Sequence, residues 1–317
     1  MRYHLYFHDD LDGMASGAVM LNFLKSRGDK IVSFNPINYA PGLKEGWLKH
    51  KFKEPFIMVD FLFHPNAAWW FDHHETSFLN NKLKDDFVND ATHHFNSTHK
   101  SVCGMVMAHL KKEFGYKPPK HIQYLAKWTD IIDSALYKSP KQVVEKKEPA
   151  LKFSLIQDFL DKTSKGVYRA KVGALIRQLA EKPITEIIKL SQFKNAIAKQ
   201  AAELKKDRKN FKNISKVEGI VVFVDSTIDS IRVPHFLSYF IYPGVSYSAV
   251  VSYHGGYYHL SIGKNRWAKR LGTANIGAIL SKYGGGGHQG IGGLERKSKD
   301  EIMKISEIII KYLNKHG

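Results

Sequence analysis

The chain has 317 residues, 43% of them hydrophobic and 25% charged, which excludes a mainly disordered state and leaves room for one large domain or two. Lys and Arg outnumber Asp and Glu by 48 to 30, a formal net charge of +18. An anionic partner is therefore expected (nucleic acid, nucleotides, polyphosphate or an anionic membrane), with simple surface solubility as the plain alternative. The single cysteine, Cys103, excludes a disulfide framework and a zinc site built on several thiolates. No apolar run is long enough to span a bilayer, so a cytoplasmic location without membrane partners is expected.

Arg2–Phe7 predicts a strand that runs into His8-Asp9-Asp10-Leu11-Asp12-Gly13. Helical spacing follows over Met14–Ser26, with Gly28 as its stop. Pro55–Phe63 (PFIMVDFLF) is a near-continuous apolar run, broken only by Asp60, of the kind found in strands buried on both faces. Trp69-Trp70-Phe71 predicts another strand, leading into Asp72-His73-His74, and Val102–Lys112 and His121–Leu136 read as helices. This succession is an α/β pattern. From about 150 to 213 the chain reads as helical, broken near Lys162–Gly166 and at Pro183. Within it, Thr185–Asn213 carries eight Lys or Arg against three Asp or Glu, read first as a solvated face. After Val217 the character changes. Gly219–Asp225, Ser248–Tyr253 and Tyr257–Ile262 are strands, the last two a hairpin through Gly255-Gly256. Thr273–Lys282 is expected to be a helix, four glycines at 284–287 precede His288, and Ser298–Leu313 is an amphipathic helix. A helical connector over 186–217 would join two α/β domains.

The side chains that carry chemistry cluster in the first half. His8, Asp10 and Asp12 are three ligand-type groups within five residues, and Gly13 leaves space beside them. Crowded carboxylates require a cation or protons to offset their repulsion. Asp60 is a carboxylate in an apolar strand, costly to bury unpaired. Asp72, His73 and His74 add three more groups, although neighbours on a strand point to opposite faces. Asp130 and Asp133 lie three residues apart on a helix, where a solvated edge is the plain alternative to ligation. Carboxylate and imidazole without thiolate suits Mn²⁺ or Mg²⁺, and the groups suffice for two ions. His93, His94 and His99, in an expected polar loop, are better read as solvated or structural.

His8-x-Asp10-x-Asp12-Gly13, then Asp60, then Asp72-His73-His74, then Thr129-Asp130, resembles the four motifs of the DHH phosphoesterase superfamily. Gly285-Gly286-Gly287-His288 with Gly293 resembles the GGGH motif of the DHH-associated domain. The resemblance covers most of the chain. It implies a parallel-sheet catalytic domain over 1–185, the connector over 186–217, and a smaller α/β substrate-binding domain over 218–317. Carried over, His8 and Asp10 would hold one metal, and Asp12, His73 and Asp130 the other, with Asp60 bridging and His74 behind them or at the substrate phosphate. In the second domain, Gly285, Gly286, Gly287 and His288 would receive a phosphate, the glycine N–H groups forming an anion nest. Lys264 or Arg266 would supply a cation, and Asn275 matches a family asparagine loosely. Many relatives have a Ser-x-Arg-Ser strand there, which Ser261-Ile262-Gly263-Lys264-Asn265-Arg266 departs from.

The first motif is closest to a nano-RNase-like group. The expected activity is therefore Mn²⁺-dependent hydrolysis of short oligonucleotides by a water activated between two ions, with Mg²⁺ as the alternative metal. The same chemistry on a cyclic or linear dinucleotide, or on pAp, is the second reading. A RecJ-like single-strand exonuclease and a non-catalytic nucleic-acid-binding protein are the others. Oligomeric state is open, a homodimer included.

Overall fold

The computed structural model describes residues 1–39, 42–163, 167–227, 233 and 236–317, and the expected break near Lys162–Gly166 lies mostly outside them. The chain divides into two compact units, Met1–Tyr137 with Glu148–Ile197, and Lys138–Lys147 with Ala198–Gly317. This differs from the expected boundaries at 185 and 217. The first unit extends to residue 197, inside one long helix, and a short segment at 138–147 belongs with the second.

In the first unit the order is β1 (Arg2–His8), α1 (Leu11–Ser26), β2 (Lys30–Ile37), α2 (Leu43–Gly46), β3 (Phe56–Val59), β4 (Trp69–Asp72), α3 (Asn81–Asp85), β5 (His93–Phe95), α4 (Val102–Phe114) and α5 (Lys120–Asp133). After α6 (Pro140–Glu145), of the second unit, come α7 (Pro149–Thr163), α8 (Tyr168–Glu181) and α9 (Ile184–Ile187); α10 (Ser191–Asn210) crosses the division. The five strands form one parallel sheet in the order β2-β1-β3-β4-β5.

The apolar run through β3 is explained by its central place. Ile57 and Val59 pack into the core beneath α1, α4 and α5, and Phe56 and Met58 into an aromatic core on the opposite face. Trp69 and Trp70 divide between the same two cores, so neither is free to stack a base. The expected strand Pro55–Phe63 stops at Val59, because Asp60 adopts a left-handed backbone with φ +59°. That conformation costs a non-glycine residue about 1–2 kcal/mol. Phe61 and Leu62 stay buried beyond the turn, which is why the sequence shows no end to the strand. β2 is the edge strand the sequence did not reveal, since Asn35 and Pro36 interrupt its pattern.

The second unit holds a six-stranded sheet in the order β10-β11-β9-β8-β7-β6. Its elements are β6 (Ser215–Glu218), β7 (Val221–Asp225), α11 (Leu237–Ile241), β8 (Tyr247–His254), β9 (Tyr257–Lys264), α12 (Ile276–Ser281), β10 (Gly286–Gly287), β11 (Ile291–Arg296) and α13 (Lys299–His316). Only β7 and β8 run parallel. One face is covered by α12 and α13, whose Ile302, Ile305, Ile309, Ile310 and Leu313 keep helical spacing. The expected helix Thr273–Lys282 begins only at Ile276, where Asn275 accepts the Ala278 N–H and caps it. Among the described residues no helix is long and apolar enough to cross a membrane.

Candidate metal centre

In an open parallel sheet, ligands bind beyond the carboxyl ends of the strands, where the chain reverses its direction of winding. Here β1 connects to β2 on one side and β3 lies on the other, so that point falls between β1 and β3. His8 and Asp10 follow β1, Asp60 follows β3, and Asp72, His73 and His74 follow β4. The parallel register brings all of them to one end of the sheet.

Three groups of side chains each place their ligand atoms within 4.8 Å of one another: His8, Asp10 and Asp60; Asp60, His73 and His74; and Asp12, His73 and Asp133. Asp60 and His73 are each shared between two groups, so the three form one centre. Asp60 is 2% exposed, and neither of its carboxylate oxygens has a hydrogen-bond donor. His8 Nδ1 stands 3.7 Å from one of them and His74 Nδ1 3.6 Å from the other. A buried carboxylate left in this state is strongly unfavourable unless it meets a cation or takes up a proton.

The surrounding groups are held in place by the fold. Asp12 is buried and accepts the N–H groups of Val102 at 2.7 Å and Cys103 at 2.8 Å, at the start of α4. Asp10 caps α1, taking the Gly13 N–H at 2.9 Å, and also meets His8 Nδ1 at 2.9 Å. Gly13 is required there, since a Cβ would lie 2.1 Å from the His8 carbonyl oxygen. His73 Nδ1 bonds the His99 carbonyl at 3.0 Å, a contact only an N–H can make, which leaves Nε2 as the lone-pair nitrogen. That nitrogen lies 3.5 Å from Asp133 Oδ2. Asp72 is fully buried. It accepts the His73 and His74 N–H groups, the Ser77 hydroxyl, and His74 Nδ1 at 2.8 Å.

The electrostatics follow from the crowding. Burial, then the neighbouring carboxylates, hold Asp60 well above the ordinary carboxylate range, and Asp12 likewise through burial, Asp133 and Asp10. Burial also lifts Asp133, only partly offset by His73. Asp10 moves the other way: burial works against it, but the His8 hydrogen bond and charge and the Gly13 N–H bring it below its usual value. For His74, burial opposes protonation, and the hydrogen bond and charge of Asp72 overcome it, so its pKa rises. His8 rises in the same way through Asp10. A protein of net charge +18 thus concentrates carboxyl groups at one sheet end.

The donor set fits a hard or borderline divalent ion: carboxylate oxygen and imidazole nitrogen, no thiolate. Cys103 is fully buried at the start of α4, its thiol pushed up by burial and by Asp12. The structure brings together His8, Asp10, Asp12, Asp60, His73 and His74 of the sequence-derived set. It places Asp133, rather than Asp130, with them. Asp130 instead accepts the Ser101 hydroxyl at 2.5 Å, and Ser101 caps α4, so Asp130 braces the helix start that holds Asp12. Helix phase carried the signal: Ile122, Leu125, Ala126 and Thr129 are the buried stripe of α5, and Asp133 is one turn beyond Thr129. Asp9 faces away from ligation. It accepts Tyr168 Oη at 2.6 Å and Asn38 Nδ2 at 3.2 Å.

No protein-family model and no curated protein sequence matches the chain. Solved structures do. A pGpG-specific phosphodiesterase, PggH, from Vibrio cholerae superposes with a TM-score of 0.76 at 20% identity, over 99% of this chain and 100% of that one. The chain shares the fold of that phosphodiesterase. RecJ from Thermus thermophilus, solved in complex with Mn²⁺, superposes with a TM-score of 0.54 at 14% identity; this chain is covered completely but spans only 52% of RecJ.

The second unit contains the glycine-rich motif, and its backbone is largely engaged. The Gly284, Gly285 and His288 N–H groups donate to the carbonyls of Ser281, Leu280 and Ile291. Of the expected anion nest, the Gly285 and His288 N–H groups are thus already bonded to carbonyls. The glycines instead let β10 and β11 close on one another: a Cβ on Gly285 would lie 2.5 Å from the Gly293 carbonyl oxygen. Gly286 and Gly287 pair with Gly293 and Gly292. Lys264 ends β9 with its N–H on the Gly290 carbonyl, while Arg266 and His288 are exposed. Asn275 has its side-chain oxygen engaged as the helix cap.

Proposed function

We propose that the protein is a divalent-metal-dependent phosphodiesterase whose substrate is a linear dinucleotide. The observation that carries the reading is Asp60: a buried carboxylate with both oxygens unpartnered, at the winding reversal of a parallel sheet, ringed by His8, Asp10, His73 and His74. The full-length likeness to a pGpG-specific phosphodiesterase supports the dinucleotide over longer strands. The short-oligonucleotide reading drawn from the motifs is less well supported, since the likeness to RecJ takes in only half of RecJ.

His8, Asp10 and Asp60 would hold one ion and Asp12, His73 and Asp133 a second, with Asp60 close enough to His73 to serve both. Bound there, Mn²⁺ or Mg²⁺ supplies charge neutralisation at the phosphoryl oxygens and a lowered pKa for water. The chain does the rest. The His99 carbonyl fixes the His73 tautomer, and α4 fixes Asp12 through two N–H groups. Asp72 holds His74 at 2.8 Å and raises its pKa, which would suit contact with a phosphate that enters beside Asp60. No protein nucleophile is required, in keeping with a buried Cys103.

Purified protein with Mn²⁺ or Mg²⁺ should be offered pGpG-type linear dinucleotides, cyclic dinucleotides, pAp, and oligonucleotides of increasing length. The reading expects linear dinucleotides to be turned over fastest, and EDTA to abolish the activity. Hydrolysis of none of these would overturn it, and faster turnover of longer strands would restore the oligonucleotide reading.

A further inference from the structure

We infer that Tyr39 is a base-stacking subsite beside the carboxylate centre, taking the nucleobase next to the phosphate that is cut; the inference rests on the phosphodiesterase reading. The position follows from register. His8 pairs with Ile37, and the Asp9 N–H bonds the Ile37 carbonyl at 3.1 Å, so the chain leaving β2 passes directly over the end of β1. Asn38 ties it there through Asp9. Tyr39 therefore arises at the same sheet end as the ligand cluster, and its ring meets His8 edge-on at 5.7 Å between centroids.

The ring is held from below. Trp47 packs on Phe61 at 5.3 Å, and Phe61 on Tyr39 at 4.6 Å with only 31° between the planes. Trp47 and Phe61 are buried at 2% and 0% exposure, whereas Tyr39, the outer member of this column, is 48% exposed. A single exposed aromatic is ordinary on a protein surface. A ring braced by a buried aromatic pair, with its outer side open next to converging ligands, is a platform. Every base has a π-face, so stacking tolerates any sequence and adds binding without touching the reacting atoms. The other exposed tyrosines described, Tyr253, Tyr257 and Tyr312, belong to the second unit and none is part of a ligand cluster there.

The test uses a dinucleotide with 2-aminopurine as one base and a methylene phosphonate in place of the scissile bond, so that binding is read without turnover. Wild type should quench the fluorophore, Tyr39→Ala should lose the quench and bind about tenfold more weakly, and Tyr39→Phe and Tyr39→Trp should keep both. In steady state, Tyr39→Ala should raise KM more than it lowers kcat, with a smaller penalty on a dinucleotide whose adjoining base is replaced by an abasic sugar. Equal losses on the base-bearing and abasic substrates would mark a merely structural ring and overturn the subsite, as would an unchanged quench in Tyr39→Ala. Quenching lost in the variant, with no hydrolysis by wild type, would keep the subsite and overturn the phosphodiesterase reading alone.

Discussion

The carboxyl end of the first sheet and the glycine-rich edge of the second both carry a recognisable motif, and their polar groups are in opposite states. At the first, Asp60 keeps two buried oxygens without a donor, and burial and mutual repulsion hold Asp12 and Asp133 above the carboxylate range with it. At the second, the N–H groups of Gly284, Gly285 and His288 are all bonded to carbonyls of the same unit. One motif is an unmet electrostatic demand, and the other is in part a packing solution. A motif match weighs the two equally, whereas the state of their polar groups separates them.

Substitutions can break this contrast most sharply at Asp60. Asparagine has the same shape, tolerates the left-handed backbone at φ +59°, and removes the charge. Asp60→Asn should lower turnover about a thousandfold or more, without lowering the Tm of the metal-free protein, because the carboxyl it replaces is buried and makes no hydrogen bond there. Heat denaturation with EDTA and with Mn²⁺ checks the second part. A variant that loses stability without metal would mean the carboxylate has a donor after all.

The next effect separates Asp133 from Asp130. Asp133→Asn should lower activity about a hundredfold and weaken metal binding, while Asp130→Asn, acting through Ser101 and the start of α4, should cost about tenfold. Calorimetric titration with Mn²⁺ reads both. The reverse order would return the ligand role to Asp130.

At the glycine edge the expected loss is in stability. Gly285→Ala would drive a Cβ to 2.5 Å from a carbonyl oxygen of the neighbouring strand and should cost about 1–3 kcal/mol. Mn²⁺ affinity should stay unchanged. A variant that unfolds normally but binds substrate poorly would instead support a phosphate-binding role for this backbone.

The contrast also explains what could be read from the chain. The β3 and β4 strands were legible because burial on both faces leaves continuous apolar runs, and β1 from its apolar end Leu5-Tyr6-Phe7; the candidate ligands stood out because carboxylates at such strand ends have no core role. β2, β10 and β11 were not legible, nor were β6 and β5, whose His93 and His94 read as loop in the sequence. An edge strand with Asn35 and Pro36 breaks its own pattern, and a strand made of glycines has no side chains to show a period. Spacing alone gives Asp130 and Asp133 a shared helix, whereas which of them stands with the other ligand-type groups depends on helical phase, and the geometry groups Asp133 with Asp12 and His73. Tyr39 left no pattern at all, since its role depends on a buried column assembled from distant residues.

The smallest effect is a pH dependence in which the charged centre acts on folding itself. Asp12, Asp60 and Asp133 have raised values, so the metal-free folded protein keeps protons that the unfolded chain releases above about pH 4. Their contribution to stability is complete below that value and is lost as pH rises through the raised values. His8 and His74, also raised, add a contribution complete below about pH 6.5 and lost as pH climbs past their folded values. Asp10, lowered, acts in the opposite sense: its contribution is present above about pH 4 and is lost on acidification. The sum predicts that the Tm of the EDTA-treated protein falls by about 2–4 °C for each kcal/mol released as pH rises from 5 to 8. Mn²⁺ should reverse the trend, because ligands must lose their protons to bind it, so the gap between the two Tm curves widens with pH. The glycine edge, with no ionisable group in its backbone pairing, should leave that gap unaltered in Gly285→Ala. Parallel curves with and without metal would mean that the carboxylates do not hold the ion.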